Sequence, residues 1–91
     1  MTFNINEIDL DHYDFEDIDF VTSGTATCGI KVEWDSNIDH SLVIKDAMKI
    51  RDYLQDEHGL NRGYRWLTIN RYKAFVLFAD RAHMLLFKLA V

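Results

Sequence analysis

Two short breaks, Arg71-Tyr72 and Asp80-Arg81-Ala82, restrict the fold of this 91-residue chain more than any other feature. They separate three apolar-rich segments, Tyr64–Asn70, Lys73–Ala79 and His83–Ala90. Parallel neighbouring strands need a crossover of a dozen residues or more, so segments joined this tightly must pair antiparallel. The sequence therefore predicts a three-strand meander over 63–91. Phe75-Val76-Leu77-Phe78-Ala79 is apolar at every position. A strand of that kind is buried on both faces, which places it centrally, with cover on both sides.

Upstream, Ala26, Cys28, Ile30, Val32 and Trp34 alternate with Thr27, Gly29, Lys31 and Glu33. This period-two run reads as a strand with one face buried. Ile18–Thr22 reads as its partner, with Ser23-Gly24 as the turn, so that 17–34 forms a hairpin. After the break at Asp35-Ser36-Asn37, residues 37–58 read as a helix. Val43, Ala47, Ile50 and Leu54 recur at helical spacing, and Ile44 and Met48 widen the stripe. Ser36 with Asp39 resembles a capping box, and Gly59 is placed to stop the helix. Residues 1–16 fit neither period cleanly and read as a short strand or irregular turn structure, an acidic N-terminal arm.

The expected fold is α+β in a single domain over 1–91, with one antiparallel sheet of about five strands packed on one helix, in the order β-β-α-β-β-β. One helix covers one face of such a sheet. With 83–90 as a strand, Leu85, Phe87 and Leu89 share one side and Met84 and Leu86 the other, so both sides demand burial. A homodimer would supply the missing cover. The competing expectation folds Phe3, Ile5, Ile8, Leu10, Tyr13 and Phe15 back over the second face.

The familiar chemistries find no foothold. His12, His40, His58 and His83 have no His or Cys within four positions, so no local metal site is expected. Asp9-Leu10-Asp11 and Asp17-Ile18-Asp19 begin like calcium loops but lack the glycine and glutamate that such loops need. Gly24, Gly29, Gly59 and Gly63 are scattered rather than gathered into a phosphate loop. Cys28 points inward by the alternation, where a thiol behaves as a small apolar residue. General acid–base catalysis would need a pocket that raises one carboxyl pKa, and the acids cluster where the chain is most solvated. No catalytic residue, metal or cofactor is expected. A single cysteine excludes an intrachain disulfide. With no signal-like start and no apolar run near the ~20 residues of a membrane span, the chain reads as cytoplasmic.

Charge is the strongest remaining signal. The net charge is −5, but residues 1–40 carry ten acids against Lys31 alone, whereas 41–91 carry nine bases against five acids. Glu7, Asp9, Asp11, Asp14, Glu16, Asp17 and Asp19 follow one another with no Lys or Arg between them. Unpaired carboxylates are too costly to bury, so this stretch must be solvated or matched to a basic surface. Drawn out as a strand, alternate acids would stand about 6.6 Å apart, comparable with successive phosphates of a nucleic acid. Tyr13 and Phe15 are the candidate apolar anchors within it. A second surface interleaves cations with rings: Arg62, Arg65, Trp66, Arg71, Tyr72 and Lys73. This is the alternative site, for RNA or single-stranded DNA, although an acidic chain lacks the basic excess of most such binders. Pairing of this basic rim with the acidic arm, or with an acidic partner, is the preferred reading of it.

In its length, its lack of proline and disulfides, and the run Glu7-Ile8-Asp9-Leu10-Asp11-His12-Tyr13-Asp14-Phe15-Glu16-Asp17-Ile18-Asp19, the chain resembles small acidic bacteriophage inhibitors of the anti-CRISPR and DNA-mimic type. The resemblance implies a non-enzymatic inhibitor that occupies the basic groove of a nucleic-acid-binding protein or complex inside a bacterial host cell. The net-basic C-terminal half departs from that pattern and points to a local acidic patch rather than mimicry over the whole surface.

Overall fold

A computed structural model describes residues 3–58 and 63–90. Strands β1 (Phe3–Ile8), β2 (Cys28–Trp34), β3 (Tyr64–Asn70) and β4 (Lys73–Phe78) form one antiparallel sheet in the order β1-β2-β4-β3. Helices α1 (Asp19–Thr22), α2 (His40–His58) and α3 (Arg81–Ala90) complete the set, together with a short 3-10 turn at Leu10–His12. The protein is thus α+β, and the strand that carries the doubly apolar run from Phe75, β4, is an inner one.

Two expected strands are helical, and the arm holds both a short strand, Phe3–Ile8, and a turn, Leu10–His12. The last segment forms α3, not a strand. Its residues from His83 to Ala90 include no β-branched side chain, and Met, Leu, Lys and Ala are strong helix formers. Asp80 starts the helix: its carboxylate accepts from the Ala82 N–H at 2.8 Å and its carbonyl from the N–H groups of His83 and Met84. Met84 and Phe87, three residues apart, are buried, whereas Leu85, Leu86 and Leu89 face outward. Residues 19–22 form the single turn α1, in which the N–H groups of Val21 and Thr22 both donate to the Ile18 carbonyl. No hairpin spans 17–34. The partner of β2 is instead β1, paired from Phe3↔Trp34 to Ile8↔Gly29. The described order is β-α-β-α-β-β-α, with four strands where about five were expected. The cap of α2 is Asp39 rather than Ser36; its carboxylate accepts from both the backbone N–H and the hydroxyl of Ser41. These bonds hold the Asp39 carboxyl below the usual range. Gly59, the expected helix stop, lies outside the described residues.

Both faces of the sheet are covered within the chain. On one, α2 and α3 bury Val43, Ile50, Leu54, Met84 and Phe87 against Ile30, Val32, Trp34, Val76 and Phe78. On the other, the β1–β2 connection lays Phe15 and Phe20, with Leu10 and Ile18 beside them, over Phe75 and Leu77. The approach is close at Gly29, where a Cβ would stand 2.9 Å from Leu77 Cδ2 and 3.1 Å from Ile8. The fold-back over the second face is therefore present, though with different members. Phe3 and Ile5 sit on the helix-covered face, and Phe20 joins the cover. The argument for a homodimer from an uncovered sheet face loses its premise. Among the described residues, no helix is long and apolar enough to cross a membrane.

Candidate functional site

The run from Glu7 to Asp19 is not an extended ladder of charges. The strand ends at Ile8, the chain turns through Leu10–His12, and Asp19 opens α1. The phosphate-like spacing expected of a strand does not form. Apolar members dictate the path: Leu10, Phe15, Ile18 and Phe20 turn inward onto Phe75 and Leu77, which leaves the intervening acids on the outside.

Glu7 stands apart from the other acids. From β1 it meets α3, with Lys88 Nζ at 2.9 Å and Arg81 Nη2 at 3.2 Å. The Lys88 hydrogen bond and charge, then those of Arg81, hold its carboxyl below the ordinary value. A lowered carboxyl pKa stabilises the fold above the unfolded pKa, about 4.3 for Glu, and that contribution disappears as pH falls through the folded value. The Glu7→Gln variant is accordingly expected to be less stable than the wild type at pH 7 and to match it near pH 3. Urea unfolding of both proteins across that range measures the difference, and a constant gap would refute the linkage.

The remaining acids are solvated. Asp9 caps the 3-10 turn through the Asp11 N–H at 3.0 Å and lies 3.9 Å from His12 Nε2. Asp14 accepts from the Glu16 N–H at 3.1 Å. Among the described residues, no Lys or Arg lies within ion-pair distance of Asp9, Asp11, Asp14, Glu16, Asp17 or Asp19. Asp11, Asp14 and Glu16 rim a shallow hollow with Tyr13. A second hollow sets Asp14, Glu16 and Asp17 beside Tyr13, Leu67 and Ile69. Tyr13 is 38% exposed, its ring standing edge-on to Phe75 at 4.8 Å. Phe15, the other expected anchor, is buried in the core and unavailable to a partner.

The basic–aromatic set divides. Arg62 lies outside the described residues. Arg65 turns toward the arm, its guanidinium 5.7 Å from the centre of the Phe20 ring. Among the described residues, the rim thus touches the arm through a ring and not through a carboxylate. Tyr72 is half-buried, 6.4 Å from His40. Lys73 lies 3.7 Å from Glu33. Trp66, Arg71 and Lys73 do meet, in a groove of about 420 Å³ between α2 and β3. There they are joined by Ile44, Met48 and Arg51, which were not among the expected site residues. The available signal was the width of the α2 stripe: Ile44 and Met48 extend it beyond what the sheet covers.

Cys28 is buried, and loss of solvent pushes its thiol pKa up, so it is poorly suited to act as a nucleophile. Among the described residues, no three His, Cys, Asp or Glu side chains are grouped so as to hold a metal ion. No protein-family model matches the chain, and neither the curated proteins nor the solved structures give a match.

Proposed function

We propose that this chain is a non-enzymatic inhibitor that binds the basic surface of a nucleic-acid-binding protein or complex, in the manner of the anti-CRISPR proteins it resembles. The observation that carries the reading is the outer face of the arm, where six carboxylates have no Lys or Arg partner among the described residues and four of them, Asp11, Asp14, Glu16 and Asp17, line the hollows beside the half-open ring of Tyr13. An apolar underside fixed to the sheet presents these charges on a supported surface rather than a loose tail. Glu7 does not belong to this face, since α3 neutralises it. Exposed charges of this kind chiefly raise the association rate, and screening over about 8 Å at physiological salt makes the complex salt-sensitive. Tyr13 supplies the apolar contact that charges alone lack.

The nucleic-acid alternative has less support, because Arg65 is turned to the opposite sheet face from Trp66. The outer side of α3, where Leu85, Leu86 and Leu89 are exposed, is one apolar surface that a homodimer could use.

The test is affinity capture at low and high salt, with added duplex DNA as competitor. The comparison is between the wild type and a variant carrying Asn or Gln at Asp9, Asp11, Asp14, Glu16, Asp17 and Asp19. The expected result is a partner released by DNA and by salt, recovered at least tenfold less by the variant. Equal recovery by both proteins would overturn the acidic-face reading.

A further inference from the structure

We infer that the free edge of β3 is a second docking surface, which takes an extended strand from a partner protein, apolar and acidic on one side and basic on the other. β3 ends the sheet, and among the described residues no strand pairs with its outer side. The register shows which backbone groups are open. Tyr64 stands opposite Phe78, and the Ala79 N–H donates to the Gly63 carbonyl at 3.1 Å. Hydrogen-bonded pairs alternate along an antiparallel ladder. Arg65 and Leu67 therefore direct their N–H and C=O groups at β4, and Trp66 and Thr68 direct theirs outward.

Two hollows flank this edge and share Trp66 and Thr68 as lining. On the α2 side, Ile44 and Met48 are 48% and 60% exposed. These side chains are left in water by the fold, yet they line the groove together with Trp66. Arg51, Arg71 and Lys73 border the same groove and make it cationic in a protein of net charge −5. On the arm side the hollow carries Asp14, Glu16 and Asp17 beside Leu67 and Ile69.

A strand added to β3 projects alternate side chains into the two hollows. The side toward α2 calls for apolar residues and a carboxylate, and the side toward the arm calls for lysine or arginine. A single nucleic-acid strand fits less well, since its phosphates would be held near the carboxylates of the arm hollow and it lacks the amide ladder that the open backbone would pair with.

The experiment is a fluorescence-anisotropy titration of the intact protein with a labelled eight-residue peptide. The peptide alternates lysine with valine or leucine and carries one glutamate on the apolar side. Three comparisons accompany it: a peptide of identical composition in shuffled order, a ten-residue oligothymidylate, and the Met48→Glu variant, with its helicity checked by circular dichroism. Met48 is largely exposed and Glu is a good helix former, so this variant is expected to fold. The alternating peptide is expected to bind at least tenfold more tightly than the shuffled one and than the oligonucleotide. Met48→Glu is expected to weaken it at least tenfold, and bound peptide to slow amide exchange at Trp66 and Thr68. Equal binding of both peptides, tighter binding of the oligonucleotide, or unchanged binding by Met48→Glu would overturn the inference. Asp14, Glu16 and Asp17 are common to this site and the acidic face, but Met48→Glu leaves them in place and alters only the α2 groove, so failure of the strand site is distinguishable from failure of the acidic-face reading.

Discussion

Replacing Phe87 by alanine is expected to destabilise the protein by about 3–5 kcal/mol, the usual cost of emptying an aromatic site in a core. By contrast, Leu89→Ala, two residues along, is expected to change stability by less than about 0.5 kcal/mol, as exposed substitutions do. Phe87 is fully buried, with Phe78 at 5.7 Å and Tyr53 at 6.2 Å between ring centres. It therefore joins α3 both to the central strand β4 and to α2. Leu89 is 85% exposed. The contrast discriminates sharply because a strand over these residues would put Leu85, Phe87 and Leu89 on one face, where all three substitutions would cost alike. Urea unfolding supplies the measurement. The Phe87→Ala midpoint should fall by on the order of 2 M with the slope unchanged, and Leu89→Ala should overlay the wild type. Comparable losses from both would show that α3 does not pack as described.

How far the fold was legible follows from where the signal is local. The run Ala74–Phe78 declares itself because every side chain is apolar, and only an inner strand buries both faces. The alternation from Cys28 to Trp34 and the stripe Val43–Ala47–Ile50–Leu54 are equally self-contained, and each matches its element. At His83–Ala90 the apolar content was read as two buried strand faces, although propensity and the Asp80 cap favour a helix whose outer face stays wet. At Ile18–Thr22 the alternation of acid and apolar residues over five positions is too short to separate the two periods. What decides there is tertiary: Phe20 has a place beneath Arg65 and against Phe75 that a strand beside β2 could not reach, since β1 occupies that edge. The site was legible in part for the same reason. Six of the seven acids are solvated, as their density requires, but the capture of Glu7 by Arg81 and Lys88 depends on α3 and crosses more than seventy residues of sequence. The groove against β3 depends on α2 lying beside an edge strand, which no local pattern reports.

Substituting Phe20 by alanine is expected to undo the cover of the second sheet face and, with it, the support of the acidic surface. Phe20 is 6% exposed, and it forms one cluster with Phe15, Phe75 and Leu77. Removing so large a buried ring costs about 3–5 kcal/mol when the whole fold feels the loss. Here the loss need not be global, because the β1–β2 connection rests on the sheet through few large side chains. The lower-energy response is local opening, which exposes Phe75 and Leu77 while α2 and α3 keep the other face packed. Three measurements follow from that picture. Amide exchange between residues 9 and 27 should accelerate more than exchange in β2 and β4. Light scattering should show a mass that rises above the wild type's with concentration, since an uncovered apolar sheet face seeks another cover. Capture of the proposed basic partner should fall even though no carboxylate has been removed, because charges on a detached arm are no longer held around Tyr13. A Phe20→Ala protein with wild-type exchange in the arm and undiminished capture would mean that the carboxylates act without their scaffold. The arm would then be a charged tail, and the supported acidic face would have no part in binding.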